Sequence, residues 1–290
     1  MAACVHCDCL KGRTGSAFVQ LNGLPESEGR LFRTDGIRSR SQAQPRSARP
    51  GFSLIELLVV FGVTLLLVGL LLPVLGAARS QVRTVRGLTN LNQIGRALFA
   101  YAEAHDQNFP IGYLDNESGE DTNWTTLLNG LMLETGMTDA SLEAGGFLEI
   151  FADPNARLSG GCVHYSGHPV LLSDVSKDRP IQAPCRVTRI VRASQMLLVM
   201  DGAQDPFNDA NAHATAWRLD GGSLWSGWAF DGADAQNTQL IDPGLDQDTF
   251  EGAGDIRWRQ AGGGANFLYC DGHAETGRPS QISKANVRVD

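Results

Sequence analysis

The sequence is poor in the features that catalysis and disulfide-rich scaffolds need. Aromatic residues make up 7% of its 290 positions, and its six cysteines are too few for a disulfide-dense fold. It contains no Gly-x-Ser-x-Gly elbow, no phosphate-binding loop ending in Lys-Ser/Thr and no His-Glu-x-x-His pair. With 42% hydrophobic residues and no collagen-type repeat, wholly disordered, collagen-like and coiled-coil classes are excluded. Nothing in the sequence points to an enzyme.

Charge is distributed unevenly along the chain. Residues 1–51 contain 8 Lys/Arg and 4 Asp/Glu, which leaves 16 basic and 28 acidic residues, a net charge of −12, for residues 52–290. An excess of acid repels the phosphate backbone. We therefore expect no nucleic-acid partner, and we expect residues 52–290 to form an acidic domain that faces solvent.

One long apolar run dominates the sequence. Residues 52–72 contain a single ionisable side chain, Glu56, and are long enough to cross a hydrocarbon core of about 30 Å. A buried core helix rarely stays apolar on every side for this length, so we predict a transmembrane helix. Gly76-Ala77-Ala78 loosely offers a signal-peptidase site, but the run is longer than the apolar region of an ordinary secretory signal.

Positive charge flanks the run on both sides and does not by itself fix the orientation. Arginines lie before it and after it: Arg38, Arg40, Arg46 and Arg49, then Arg79, Arg83 and Arg86.

The string GFSLIELLVV, which begins at Gly51, resembles the processing site of type IV prepilins and type II secretion pseudopilins. The resemblance implies that a membrane-embedded prepilin peptidase cuts after Gly51 and methylates Phe52. It implies that Glu56 is the assembly residue, and that other pilin-like subunits and the pilus or secretion machinery are partners. The expected location is the inner membrane, single-pass, with the C-terminal domain extracytoplasmic or in a filament at the cell surface.

The apolar run is predicted to continue as an amphipathic helix. Beyond Pro73, apolar residues recur every three or four positions, which indicates a helix from about 52 to 105, on the order of 80 Å long at about 1.5 Å per residue. The face consists of Val74, Ala78, Val82, Val85, Leu88, Leu91, Ile94, Leu98 and Ala102. We expect a kink at Pro73, as in pilins, and an end at Asp106, Gln107, Asn108 and Pro110.

The rest of the chain is predicted to form an α+β, pilin-like domain with a small antiparallel sheet and long loops. The strand candidates are 161–172, 187–191, 195–200 and 265–270, the last two followed by Asp-Gly turn pairs. The long helix is expected to cover one sheet face. Residues 203–258 indicate a long loop region. The predicted organisation is a leader, or upstream sequence, over 1–51, an anchor over 52–72, an amphipathic helix over 73–106 and a globular domain over 107–290.

A second resemblance lies near the C-terminus. The segment from Ala261 to His273 resembles the closing motif of a prepilin-like family of planctomycete-type bacteria, a histidine followed after nine residues by Asp-Gly. Asp271 and Gly272 match that motif. Ala261 occupies the place of the first histidine, for which His273 is a partial substitute.

Three other clusters contain residue types that can bind ligands. A metal at Cys162, His164 and His168 would lack a fourth ligand, so we expect a strand with histidines on its solvent face. The acidic loop does not match an EF-hand, and a solvated loop is favoured over a calcium site; its members are Asp242, Asp246, Asp248, Glu251 and Asp255. We also expect local packing rather than a binding face for one aromatic group, Trp217, Trp225, Trp228 and Phe230.

Cysteines provide two further expectations. Cys4, Cys7 and Cys9 with His6 resemble half of a metal knuckle, but they fall in the segment expected to be removed. Export would place the other three cysteines in an oxidising compartment, where Cys162 and Cys185 are expected to pair.

The leading interpretation is a structural subunit of a type IV pilus or type II secretion pseudopilus with no cofactor. The alternative is a monomeric, membrane-anchored extracytoplasmic binding module that uses the same export signal.

Overall fold

The computed structural model describes residues 51–114, 122–138, 140–142, 146–175, 184–216, 239–241, 243, 246–248 and 256–287. The fold is a mixed α+β arrangement with a long N-terminal helix and small antiparallel sheets. Its helices are α1 (Leu54–Ala104), α2 (Trp124–Thr135) and α3 (Lys284–Val287). Its strands are β1 (Tyr113–Leu114), β2 (Thr122–Asn123), β3 (Tyr165–Gly167), β4 (Leu197–Asp201), β5 (Ala265–Tyr269) and β6 (Ala274–Gly277). The chain forms two compact units, which divide α1 between Leu71 and Leu72.

Helix α1 confirms the long helix expected over residues 52–105. It ends where the sequence indicated, because Asp106 and Gln107 adopt left-handed backbone angles, with φ of 54° and 61°. The Gln107 N–H donates to the Ala102 carbonyl and so satisfies one of the free carbonyls at the helix end.

The buried face of the second half of α1 differs from the expected one. Leu91, Ile94, Leu98 and Ala102 are buried as predicted, but Val82 and Val85 are exposed. The positions that replace them are polar or small: Thr84, Gly87 and Asn90. The prediction was wrong here because hydrophobic periodicity counts only apolar residues, whereas this part of the helix packs through hydrogen bonds and close backbone approach.

Two glycines bring α1 close to β5. A Cβ added at Gly87 would lie 2.6 Å from Nδ2 of Asn266, and one added at Gly95 would lie 2.9 Å from Cδ1 of Leu268. Both distances are shorter than real Cβ contacts, so any larger residue at these positions would force the Asn266 or Leu268 side chain to shift. Asn266 and Leu268 are alternate residues of β5 and therefore point to the same face of the sheet, the face that α1 covers.

The main sheet has four antiparallel strands in the order β3-β4-β5-β6. A register shift between Leu197 and Val199 marks a bulge in β4. Because of it, Leu198 and Val199 both join the hydrophobic cluster on the α1 side, while Leu197 and Met200 join a second cluster. β1 and β2 form a separate two-stranded sheet.

The second cluster covers the opposite face of the main sheet. Trp258, Ile256, Ile282 and Val287 pack there with Phe267, whose ring meets that of Trp258 at 5.8 Å between centroids. The main sheet is therefore covered on both faces, by α1 on one and by residues from the C-terminal segment and from 256–258 on the other.

Several local assignments also differ. Val187–Arg189 is a short 3-10 helix rather than a strand, and only residues 165–167 of the run 161–172 form a strand. Asp201 lies inside β4, so Asp201-Gly202 is not a hairpin turn. Helix α2 was missed, although Asn123 caps its start through a bond from the Thr126 N–H (3.0 Å) and Gly136 ends it with φ of 62°.

Adding a methyl group at Gly87 tests the close approach of α1 to β5. Gly87→Ala should lower stability by about 1–3 kcal/mol, because the added atom overpacks a buried contact with Asn266. The matched control is Gly130→Ala in α2, where nothing lies within 4 Å of the added Cβ; removing a helix-interior glycine there should raise stability by about 0.5–1 kcal/mol. Urea unfolding of the full chain in detergent, followed by tryptophan fluorescence, measures both. A Gly87→Ala protein as stable as Gly130→Ala would contradict this packing.

Candidate functional site

The residues of the expected processing site lie at the start of α1. Gly51 and Phe52 precede the helix, and the Phe52 side chain is 85% exposed. Glu56 lies in the first turn, and its carboxylate accepts a hydrogen bond of 2.9 Å from the Ser53 N–H. Ser53 and Glu56 have the spacing of a helix capping box, a local signal that can be read in the sequence. The carboxylate therefore stabilises the helix start within its own chain.

The apolar stretch that follows is exposed along its whole length. Residues 51–71 are all exposed, and α1 is long and apolar enough to cross a membrane by length and composition. A contiguous apolar surface of this size is unfavourable in water and marks a site of contact with a membrane or another protein.

Pro73 lies inside α1, which is helical on both sides of it. A proline there removes one backbone hydrogen bond. The expected kink stays a prediction.

The C-terminal motif residues form the tight turn between β5 and β6. Gly272 has φ of 92°, which favours glycine, and Gly272 N–H donates to the Tyr269 carbonyl. Asp271 Oδ1 accepts from the His273 N–H and lies 2.5 Å from His273 Nδ1. Burial opposes ionisation of Asp271, but these bonds from His273 outweigh it and lower the Asp271 pKa. The His273 ring stacks on Tyr269 at 4.3 Å.

Where the motif has its first histidine, this chain has a backbone contact to α1 and a buried glutamine. The Ala261 N–H donates to the Thr84 hydroxyl of α1. The neighbouring side chain, Gln260, is buried, and its amide donates to Asp153 (3.1 Å) and to Asp201 (2.7 Å). Gln260 could not be identified from the sequence, because the motif spacing indicates Ala261, one residue later.

Gln260 belongs to a buried polar network between α1 and the sheet. Asp153 and Arg259 form an ion pair of 2.5 Å with both side chains fully buried. Asp201 Oδ2 also accepts from the Asn266 N–H at 2.8 Å. Three buried atoms have no hydrogen-bond partner within the described ranges: Tyr165 Oη, Asp201 Oδ1 and Arg259 Nη1. The network joins elements of the domain. Because its side chains are buried, they offer no surface to a ligand.

Burial and the charge of Asp153 raise the pKa of Asp201 to about 8, against the opposing effect of Arg259. Asp201 is therefore largely protonated at neutral pH. His168 is the opposite case: burial lowers its pKa to about 4, while its Nε2 bonds to the Val287 carbonyl at 2.7 Å and its Nδ1 accepts from Val170 N–H. His168 is therefore neutral and ties α3 to the end of β3.

The other ligand-site candidates are occupied by protein contacts. His164 is buried rather than on a solvent face; its Nδ1 accepts from the Asp153 N–H, and burial lowers its pKa. Asp246 and Asp248 both pair with Arg257. Within the described parts of the chain, no group of three His, Cys, Asp or Glu is placed to hold a metal.

The remaining predicted residues fall partly outside the description. Cys185 is a free thiol, so the expected Cys162–Cys185 disulfide is absent. Several predictions lie outside the described residues: those for Asp242, Glu251 and Asp255, for Trp217, Trp225, Trp228 and Phe230, and for Cys4, His6, Cys7 and Cys9.

Comparison of the chain with protein-family models, with curated proteins and with solved structures finds no match.

The raised pKa of Asp201 predicts a pH-dependent stability. A raised folded-state pKa contributes stability that is present below the unfolded value near 4 and is lost as pH rises through about 8. The lowered pKa of His168 contributes stability that is fully present above pH 6.5, the unfolded value, and is lost as pH falls towards 4. The two oppose each other between pH 4 and 6.5, so the stability of the wild type should fall mainly between pH 6.5 and 8.

Asp201→Asn isolates this effect, because an amide mimics the protonated carboxyl and keeps the acceptor for Gln260 and Asn266. The urea midpoint of this variant should stay constant between pH 6.5 and 8. Glu103→Gln, which removes an exposed carboxylate of α1, should follow the wild type at every pH. The assignment is wrong if Asp201→Asn loses stability over this range as steeply as the wild type does.

Proposed function

We propose that this chain is a structural subunit of a type IV pilus or type II secretion pseudopilus, cleaved by prepilin peptidase after Gly51. The observation that carries the proposal is the position of the Gly51, Phe52 and Glu56 signature. It lies at the start of an exposed apolar helix whose second half belongs to a folded domain. Such a helix requires an apolar environment, which a bilayer supplies before assembly and neighbouring helices supply in a filament.

Glu56 has a defined role in each of these states. In the single chain its carboxylate accepts from the Ser53 N–H, which lowers the cost of a charge in an apolar segment. Cleavage after Gly51 creates an α-amino group on Phe52. In a filament, that group on an adjacent subunit supplies the positive partner, and the low dielectric of the helix core strengthens the attraction.

One prediction of the proposed function concerns processing. The mature chain should begin at Phe52 with an N-methyl group, because Gly51 precedes an apolar run with Glu56 at the fifth position. Mass spectrometry of the membrane-extracted protein measures this. Gly51→Ala should slow cleavage, and Gly51→Leu should prevent it. A mature N-terminus at Arg79, after Gly76-Ala77-Ala78, would show ordinary signal-peptide cleavage and reject the proposal, as would a retained leader.

Another prediction of the proposed function concerns assembly. Glu56→Gln removes the charge but keeps an oxygen that accepts from the Ser53 N–H, so the helix start and leader cleavage should be preserved. The yield of sheared filaments or of self-crosslinked ladders should fall by a factor of ten or more. The matched control is Glu103→Gln, the same change at an exposed position of α1 outside the apolar run.

Two results would contradict the assembly role. Equal ladders from wild type and Glu56→Gln would remove this carboxylate from the mechanism. If neither protein yields self-adducts while both are processed and displayed, the chain functions as a monomeric anchored binding module.

A further inference from the structure

Two cysteines lie beside the C-terminal end of α1, outside every site described above. Cys270 is the residue that follows β5 and is buried, whereas Cys185 is half-buried. Cys270 belongs to the hydrophobic cluster on the α1 side of the main sheet, and Cys185 packs against that same cluster. The two thiols therefore share one apolar environment although they are far apart in sequence.

The position of Cys270 follows from the alternation along β5. Cys270 is two residues after Leu268, so its side chain continues the row that α1 covers. Gly95 of α1 lies over Leu268, and one turn later the Phe99 ring lies 3.3 Å from where a Cβ at Gly272 would be. Cys270, between these two contacts, therefore lies under the last turns of α1.

Cys185 reaches the same place from another direction. Its carbonyl accepts a hydrogen bond of 3.0 Å from the Phe109 N–H, just after the end of α1. Arg186 is exposed, whereas Cys185 and Val187 on either side of it pack against the hydrophobic cluster. The Phe109 ring meets that of Phe99 edge-on, with 5.8 Å between centroids. Both cysteines are thus neighbours of this one pair of rings.

The electrostatics of the two thiols agree with this placement. Burial raises the pKa of the Cys270 thiol well above its usual range, and the charges of a Cys185 thiolate and of Asp271 raise it further. One thiolate affects another thiol in this way only when the two are close. Burial also raises the pKa of Cys185, against the effect of Arg189. The site favours uncharged sulfur, and a disulfide is uncharged.

The sheet keeps Cys162 away from this site. The His164 carbonyl accepts from the Gly202 N–H, whereas the Cys270 N–H donates to the Met196 carbonyl, six residues away along the β4 segment. Six residues of strand span about 20 Å, and the two residues from His164 to Cys162 return about 7 Å at most. At least about 13 Å therefore separates Cys162 from Cys270, and a disulfide allows about 7 Å between Cα atoms.

We propose that Cys185 and Cys270 form a disulfide that fastens the segment 184–190 to the end of β5. The half-buried Cys185 reacts first: its thiolate attacks one sulfur of an oxidant of the disulfide class and releases one thiol of that oxidant. The Cys270 thiolate then attacks the Cys185 sulfur of the mixed disulfide and releases the second thiol. The protein gives up two electrons and two protons, and these reduce the oxidant's disulfide to two thiols.

The reaction needs only such an oxidant, which an extracytoplasmic location would supply. Filament assembly is not required, so the inference is independent of the proposed function and is tested on the purified chain.

Oxidation of the full chain in detergent by glutathione disulfide tests the pairing. Changing Cys4, Cys7 and Cys9 to serine leaves three of the six cysteines. Without denaturant, labelling with a maleimide should fall from three thiols to one. Peptide mass spectrometry without reductant should find the Cys185–Cys270 link at least tenfold above either other pairing.

Single variants test the order of the two steps. In Cys270→Ser, Cys185 should stop at the mixed disulfide with glutathione. In Cys185→Ser, the buried Cys270 should stay reduced. The matched control combines Cys185→Ser with Val191→Cys, which moves the thiol six residues along to a position that is 82% exposed. This protein should gain glutathione and form at least tenfold less link to Cys270.

The stability of the oxidised chain shows whether the bond fits the native fold. Its urea midpoint should be higher than that of the chain reduced with dithiothreitol, because a crosslink that fits the fold restricts the unfolded chain. Cys270→Ser should show no such difference. A lower midpoint after oxidation overturns the proposal. So does a predominant link to Cys162, or a Cys185–Cys270 link that forms in urea and not in its absence. Each of these results leaves processing at Gly51 and assembly through Glu56 untouched.

Discussion

The close approach of α1 to β5 is the contact on which the rest of the domain depends. Gly87 and Gly95 remove the side chains that would hold the two elements apart, so the Asn266 amide reaches the Thr84 carbonyl of α1 at 3.2 Å. The same asparagine accepts from the Thr276 hydroxyl of β6, which links the helix to the edge of the sheet. One buried amide therefore fixes the relative positions of α1, β5 and β6.

The buried charges are a second consequence of this packing. Removing Asp153 and Arg259 from water is costly, and their mutual attraction repays the cost only with good geometry and further hydrogen bonds. Arg259 also donates to the His164 carbonyl, and Gln260 donates to both aspartates. The network thus joins the 153–155 segment, β4 and the 259–261 segment, and it couples the stability of the domain to the protonation of Asp201.

Helix α1 serves two different environments along its length. Over residues 54–71 Glu56 is the single ionisable side chain and the rest of the helix surface is almost entirely apolar, whereas from Thr84 onward one face is buried against the sheet and the other is polar. The proposed filament subunit would use both properties: the apolar half would contact the membrane and neighbouring helices, and the second half packs in the folded domain.

The local signals in the sequence determined much of the architecture. The apolar run, the helical period and the Asp106–Pro110 stop predicted α1, and β-branched runs predicted β4 and β5, with a turn at Asp271-Gly272. These features were predictable because they depend on residues within a few positions of one another. The Gly51 and Glu56 signature is local in the same sense, which is why a functional hypothesis was available before the fold.

Tertiary structure alone decided which polar residues are buried and what they contact. Thr84, Gly87 and Asn90 belong to the core because β5 lies against them, and no periodicity of α1 marks them. Gln260 occupies the buried position beside Asp153 and Asp201 because a turn at residues 260–264 places it there, although the motif spacing indicated Ala261. Val187–Arg189 has the composition of a strand but forms a 3-10 turn, since its neighbour Arg186 bridges to Asn108 instead of joining the sheet. Each outcome depends on contacts between residues far apart in sequence, which a local pattern does not encode.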